Sequence, residues 1–496
     1  MKKTILIFTI LSGIAKIIAF ARELLLAYCF GTSTISDVYL VSMTLPITLF
    51  GFISSGITSG YIPIYSAIIS KEGKAQGVKF TNRVLNTLSL VCVALVGIYY
   101  IFSQIIIELL ASGFDAEATE LAIKFTNISI WAIVLTCATT VFMAYLQVNN
   151  RIEITALVSV PLNIGIAISI IVAYSFNLLI LLPVGYVLAC FFQMIFMILC
   201  IRKEGFVYQL TLGINEEHVK SFYKAIGFLT IGSSAYQINL LIDRTLATTI
   251  TIGGLSVFEY GSRINDLIMG MSITPICTAL FPQMSQCVEN LEVFKDKICE
   301  AVLFFIQIMI PISVVVMVFA RQIVKLVYYR GAFDENSLQL TTGVVFYYGL
   351  GLLPFALREL FSKAFYALSD TKTPLYNASI GIVANVILNV ILSKIMGLGG
   401  LALATSVSAI ITVAMLMRAL NKKIGGLKLR KYFKQIAVVL GLTIVGICLA
   451  YFMYNRIDKW LNSEIFAAGI SAACFVLGYI FVLIKLKIID LHLLKK

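Results

Sequence analysis

The chain has 496 residues, of which 60% are apolar and only 13% charged, and its mean hydropathy is +0.96. A soluble globular protein is about 25% charged and 45–50% apolar, so this composition excludes a water-soluble enzyme or binding module. A net charge of +13 would suit a nucleic-acid partner, but apolar stretches of about 20 residues, the length of a membrane-crossing helix, recur from end to end.

In chain order these spans fall near 4–30, 36–69, 84–111, 118–147, 153–174, 177–201, 219–248, 254–284, 296–329, 336–368, 372–394, 398–420, 433–454 and 464–487. They predict an all-α polytopic membrane protein of about 14 transmembrane helices. The first span is too long for a cleavable signal peptide, carries Lys16, Arg22 and Glu23, and is followed by no A-x-A-like site. The second holds Pro46, Gly51, Gly56, Gly60 and Pro63 and reads as one broken helix. No gap is long enough for a soluble domain.

The positive charge is dealt to alternate loops. Lys2 and Lys3, Lys71 to Arg83, Arg151, Arg202 to Lys224, Lys295 and Lys297, Lys372, Lys422 to Lys434, and Lys485 to Lys496 make about two dozen cations. The intervening loops hold four: Arg330, Lys394, Arg456 and Lys459. This is a positive-inside pattern, which predicts both termini in the cytoplasm and an even number of spans. The basic balance then reports topology and contact with anionic lipid, not nucleic acid. The ten cysteines sit mostly singly in apolar spans and form no C-x-x-C, so neither a disulfide framework nor a zinc site is indicated. His218 and His492 both fall at cytoplasmic span ends and read as interfacial polar residues, not metal ligands.

The chain repeats itself. "SGFDAEATELA" (112–122) resembles "RGAFDENSLQL" (330–340), which places Phe114 and Phe333 219 positions apart. Nearly the same shift aligns "SGYIPIYS" (59–66) with "TALFPQMS" (278–285), Gly56 with Pro275, and "AYLQVNN" (144–150) with "AFYALSD" (364–370). "PLNI" (161–164) meets "ILNV" (387–390) at a slightly larger shift. Such self-similarity indicates duplication of a six-helix unit. Six is even, so the copies share an orientation: two six-helix lobes related by a pseudo-two-fold along the membrane normal, plus two C-terminal helices. The predicted divisions are 1–215, 216–421 and 432–496. Two lobes about a central site imply a transporter. There is no P-loop, no G-x-S-x-G and no H-E-x-x-H, so no enzymatic activity is expected. The energy source is then a gradient, the membrane potential or the flow of substrate.

Charges inside the membrane carry the functional reading, because each costs on the order of 2.5–3.5 kcal/mol at the bilayer centre. Lys16 and Glu23 are seven apart on the first helix and share a face; Arg22 lies about 120° around. Glu259, Arg263 and Asp266 stand at helix-pair spacings, and Asp243 adjoins Arg244. One reading is internal neutralisation by ion pairs, which suffices for Arg358, Glu359 and Lys363. The other makes Lys16, Arg22 and Arg263 a cationic site for an anionic substrate, since Arg forks match phosphate oxygens. Pro46, Gly51, Gly56 and Pro275, where second helices are interrupted, are candidate gates. Asn385 and Asn389, one turn apart, could form an all-oxygen cation site with Asp243 and Thr405, or simply bond between helices.

Several stretches resemble the MurJ/MviN family. "FARELLLAYCFGTSTISDVYLVSMTLP" (20–46) is similar to its first-helix pattern of F-x-R-[DE], F-G, and a D before an apolar run ending in L-P. "ASGF" (111–114), "YGSRINDL" (260–267), "RGAFDENS" (330–337), "AFYALSDTKTP" (364–374), "VANVILN" (383–389) and "GLGGLALATS" (397–406) are also close to family patterns. The resemblance covers the whole chain and implies a MOP-superfamily fold. It implies flipping of an undecaprenyl-pyrophosphate-linked glycan, lipid II of peptidoglycan synthesis, across the bacterial cytoplasmic membrane, by a monomer. Arg22, Asp37 and Arg263 fall on charged positions of that family, Lys16 replaces an arginine, and Asp266 stands where Glu is common. With Glu23 these make the implied substrate-binding set. Asp243, Asn385, Asn389 and Thr405 fall where the family implies a sodium site, so Na+ is the one cofactor to consider. The chain departs at "LPITLFGFISSG", where Phe50, Gly51 and Ser55 stand at the places in which the family usually carries one or two arginines and a Glu. The alternatives are a paralogue flipping another lipid-linked oligosaccharide and a cation-coupled MATE-type drug exporter.

Overall fold

Backbone in lipid finds no water to bond with, so each apolar stretch closes its own i→i−4 hydrogen bonds as helix. The computed structural model describes residues 2–213 and 216–486. His492 and the lysines beyond Leu486 lie outside these, as does the side chain of Ser55. Every regular element among the described residues is helical. In order they are α1 (Lys2–Phe30), α2 (Thr34–Glu72), α3 (Lys74–Leu110), α4 (Ala116–Ser129), α5 (Ala132–Val148), α6 (Ile152–Ala156), α7 (Ser159–Phe176), α8 (Leu181–Lys203), α9 (Glu217–Ile250) and α10 (Gly254–Ile268). A π-helical turn (Met269–Ile273) leads into α11 (Thr274–Gln286), followed by α12 (Leu291–Val318), α13 (Ala320–Tyr328), α14 (Glu335–Ala367) and α15 (Lys372–Ile424). A 3-10 turn (Leu429–Tyr432) precedes α16 (Phe433–Leu461) and α17 (Glu464–Lys485).

Among the described residues, eleven helical stretches are long and apolar enough to cross a membrane. Two differences from the expected spans have physical causes. The stretch 36–69 is not broken: α2 runs on through Pro46 and Pro63, since a membrane helix tolerates proline where neighbouring helices and hydroxyl side chains re-satisfy the freed backbone groups. The spans expected at 372–394 and 398–420 are joined in the 53 residues of α15, across a kink at Gly397 (φ +59°, ψ −138°). At 1.5 Å per residue that helix far exceeds the roughly 30 Å of a hydrocarbon core, so the kink separates two crossings' worth of chain.

The chain divides into two compact units, Met1–Ser256 with Arg330–Phe333, and Val257–Tyr329 with Asp334–Lys496. The core of the first holds an aromatic cluster of Tyr61, Tyr65, Phe80, Tyr145, Phe206 and Phe222, in which Tyr61 stacks on Tyr65 at 5.3 Å and its hydroxyl bonds Thr81 Oγ1 at 2.6 Å. In the second, Phe294, Phe305, Leu360, Phe365 and Leu416 gather around α12, α14 and α15. There α16 and α17 pair through Val439, Ala450 and Phe475, and Tyr479 donates to Gln307 O at 2.9 Å.

The repeated motif does the same work twice. Asp115 Oδ1 accepts Ala118 N–H at 2.8 Å, and Asp334 Oδ1, 219 positions on, accepts Ser337 N–H at 2.8 Å. Each aspartate N-caps its helix, satisfying one of the donors that a helix start leaves open.

Candidate functional site

On the first unit, α1 carries Lys16, Arg22 and Glu23. Lys16 is exposed. Arg22 forms an ion pair with Glu23, whose side chain is buried. A buried carboxylate is tolerated when a cation and hydrogen bonds meet it, and Arg22 supplies both. Tyr39 of α2 and Tyr186 of α8, both buried, lie within electrostatic reach of Arg22.

Asp37, in the first turn of α2, is only 2% exposed. Its carboxylate accepts Ser256 N–H at 2.7 Å and Leu255 N–H at 3.3 Å. These are open donors at the start of α10, where the aligned peptide dipoles favour an anion. Asp37 is thus engaged by backbone, a partnership the residue types did not reveal. The repeat offset contained it, because Asp37 and Ser256 are 219 positions apart. Two flanking contacts approximate this offset, with 219 positions between Gly113 and Ala332 and 217 between Gly31 and Thr248. Gly113 lies against the carbonyl of Thr248, and Ala332 against Gly31, with Ala332 N–H donating to Tyr28 O at 2.9 Å. A β-carbon at Gly31 or Gly113 would collide with the facing carbonyl.

On α9, Asp243 is buried and Arg244 donates to Thr44 Oγ1 of α2 at 3.1 Å. The candidate gates Gly51 and Gly56 lie where α2 packs on α9. A side chain at Gly51 would strike Gln237, and one at Gly56 would stand 3.0 Å from Ile226 Cα. Pro46 is buried in the same helix.

On the second unit, the spacing on α10 produces the expected network. Arg263 Nη2 donates to Glu259 Oε2 at 3.2 Å, and its Nη1 lies 3.6 Å from Asp266 Oδ2. The arginine side chain is 37% exposed, Glu259 9% and Asp266 62%. One guanidinium therefore bridges two carboxylates while keeping an open face, and α10 carries a net negative charge there. Immediately after it comes the π-helical turn, with Pro275 at the start of α11. Such turns often mark functional sites.

Asn385 and Asn389 are buried on α15. Asn389 Nδ2 donates to Asn385 Oδ1 at 3.0 Å, Asn385 Nδ2 lies 3.4 Å from Thr405 Oγ1, and that hydroxyl donates to Leu401 O at 3.1 Å. These are hard, neutral oxygens that bond across the Gly397 kink. Among the described residues, no group of three or more His, Cys, Asp or Glu could hold a metal.

The fold and the in-membrane charges together define a multi-pass helical membrane protein of transporter type. A solved lipid II flippase MurJ in an inward closed conformation superposes with a TM-score of 0.80 at 24% identity, covering 97% of this chain and 100% of its own. An inward-facing multidrug MATE-family transporter of the MOP superfamily gives 0.70 at 15% identity, covering 83% of this chain and 95% of its own. The profile of the family described as "Lipid II flippase MurJ" matches residues 26–470, and the chain belongs to that family. Curated relatives named "Probable lipid II flippase MurJ" include one from Thermotoga maritima, 28% identical over 82% of this chain and 83% of its own. Another, from Rickettsia prowazekii, is 26% identical over 82% and 80%.

Proposed function

We propose that this protein is a lipid II flippase of the bacterial cytoplasmic membrane, moving the undecaprenyl-pyrophosphate-linked peptidoglycan precursor from the inner to the outer leaflet by alternating access. Family membership over most of the chain supports this, and the observation that carries the chemistry is Arg263, held between Glu259 and Asp266 with an open face. The headgroup pyrophosphate takes this guanidinium from its carboxylates as a bidentate partner; Lys16 and Arg22 of α1 are further cations suited to an anionic substrate. Ion-pair exchange of this kind makes the empty carrier stable and its binding reversible. Asp37, bound to the first N–H groups of α10, acts as the outer latch of the cycle; Pro46, Gly51, Gly56 and Pro275 mark the helices that move.

The reading includes 14 crossings: the eleven stretches above, α1, α9, and a second crossing within α15. It places both termini in the cytoplasm, on the strength of the basic loops, and takes the two lobes as 1–215 and 216–421, with 432–496 outside the repeat. The contact of Asp37 with Ser256 joins positions one repeat offset apart, which supports the duplication. Asn385, Asn389 and Thr405 would offer their oxygens to a sodium ion that couples transport to a gradient. Membrane potential adds about 2.3 kcal/mol per elementary charge per 100 mV.

Complementation tests the proposal. In a strain depleted of its own lipid II flippase, the wild-type chain restores growth and Arg263→Ala does not, and lipid II accumulates by mass spectrometry. Full growth with Arg263→Ala at wild-type protein levels overturns the cationic-site reading.

A further inference from the structure

After α8 the chain does not turn directly into α9. Residues 206–213 form no helix and cross α3, and their backbone is held by two asparagines one turn apart. Asn82 Nδ2 donates to Val207 O at 2.9 Å, and Gln209 N–H donates back to Asn82 Oδ1 at 3.0 Å. Asn86 Nδ2 donates to Gln209 O and Thr211 O, each at 3.0 Å, and Tyr208 OH donates to Asn86 Oδ1 at 3.0 Å. The two side-chain amides take the place of a neighbouring strand. Phe206 roots one end of this strap in the core against Tyr145, ring centroids 5.5 Å apart. Beyond Gly213, the Arg83–Glu216 ion pair ties down the other end.

The strap presents apolar side chains outward. Leu210 is 82% exposed, Val207 and Leu212 61% each, and Tyr208 57%. Four such residues on a fixed backbone are costly in water, so something apolar covers them. Depth along α3 identifies it. No charged residue occurs between Arg83 and Glu108, a stretch long enough to cross a hydrocarbon core of about 30 Å. Asn82 and Asn86 sit at its basic end, and the strap itself starts just after Arg202 and Lys203 close α8. The strap therefore crosses α3 at headgroup depth. Exposed Lys74, Lys79, Arg202 and Lys203 border it, and lysine and arginine near an anionic leaflet are attracted to its headgroups.

We propose that residues 206–213 are a membrane anchor: Val207, Tyr208, Leu210 and Leu212 insert among the acyl chains of one leaflet, and the bordering cations hold anionic phospholipid headgroups. The anchor fixes the segment that joins the two repeats to both α3 and the bilayer. It rests on the membrane-spanning reading of α3, and not on what the protein transports.

Trp131 and Trp460 are the two tryptophans of the chain, which permits a direct test. In a Trp131→Phe, Trp460→Phe background, Leu210→Trp is reconstituted in vesicles of phosphatidylglycerol or of phosphatidylcholine. Blue-shifted emission, quenched by lipids brominated near the headgroup but not by aqueous acrylamide, is expected. Stronger quenching in phosphatidylglycerol is expected as well. Adding Asn82→Ala and Asn86→Ala releases the strap and should reduce lipid quenching several-fold. Red emission quenched by acrylamide overturns the anchor and leaves a protein partner as the cover. Equal quenching in the two lipids overturns the anionic preference. Because fluorescence reads depth and not transport, a protein that flips no lipid II can still pass this test.

Discussion

The same turn, met once in each repeat, carries an ion pair of opposite polarity. After α5, Arg151 Nε lies 2.8 Å from Glu204 Oε1; after α14, Asp370 Oδ2 lies 2.5 Å from Lys423 Nζ. Arg151 and Asp370 are 219 positions apart, and so are Glu204 and Lys423. The backbones agree too: Arg151 N–H bonds Leu146 O and Asp370 N–H bonds Phe365 O, both at 2.9 Å. Asn150 and Ser369 just before them both sit in the left-handed region, at φ +59° and +56°. Duplication has kept the geometry and the attraction while exchanging the residues that supply them.

The second helices diverge further. Asp37 and Ser256 are equivalent, yet one is a buried acid and the other offers it a backbone N–H. Gly51 and Gly56 let α2 lie close on α9, whereas the corresponding region of the other repeat breaks into the π-helical turn and Pro275. One copy has become a strut and the other a bend.

The largest effect should come from the unequal pair. Asp37→Ala leaves two buried N–H groups without an acceptor, at roughly 1–3 kcal/mol for each. Ser256→Ala removes a hydroxyl that donates to Gly253 O and lies beside the Asp37 carboxylate, worth about 1 kcal/mol, and keeps the N–H that Asp37 uses. Thermal midpoints in detergent should fall several degrees for the first and little for the second; equal losses would mean the carboxylate contact contributes nothing.

Gly56→Leu forces a side chain against the backbone of Ile226 and should cost about 1–3 kcal/mol by overpacking. Pro275→Leu, at the equivalent position, meets no such wall, since Pro275 is exposed, and returns an N–H to the helix. Comparable destabilisation by the two would refute the division into strut and bend. Folded yield and thermal midpoint measure it.

These contrasts also mark where residue patterns inform and where they stop. The helices, the twin caps at Asp115 and Asp334, the Glu259–Arg263–Asp266 network and the Asn385–Asn389 bond all follow from local spacing, and local spacing is legible in a sequence. The π-helical turn, the unbroken course of α2 through Pro46, and the grouping of Arg330–Phe333 with the first unit depend on packing between distant segments. The swapped ion pair escaped because repeats are sought by likeness, and Arg151 is unlike Asp370. The strap on Asn82 and Asn86 escaped for a related reason: two amides substituting for a strand have no periodic trace.

A charge swap tests the duplicated turn with a smaller effect. Arg151→Asp sets two acids face to face and should cost up to about 1 kcal/mol, the range of exposed pairs. Adding Glu204→Lys rebuilds the polarity of the Asp370–Lys423 turn and should recover most of that loss. A double variant no more stable than the single would show that the two turns are not interchangeable.

The smallest effect is a pH dependence of the second turn. Asp370 lies outside the spanning helices, and its carboxyl is held down to about 2 by Lys423 and by the N–H and hydroxyl of Thr373. A carboxyl depressed from its ordinary 3.8 stabilises the fold at pH values above 3.8. That contribution is lost as the pH falls from about 4 to about 2, because the unfolded chain takes up the proton first. Lys423 is 40% exposed, so solvent screening limits the pair to about 1 kcal/mol. Asp370→Asn keeps an oxygen for Thr373 but loses the charge. The gap in thermal midpoint between wild type and this variant should be constant above pH 5 and close between pH 4 and pH 2. A gap that persists unchanged at pH 2.5 would assign the turn's stability to the Thr373 cap alone, and the charge pair would then be a by-product of the duplicated geometry.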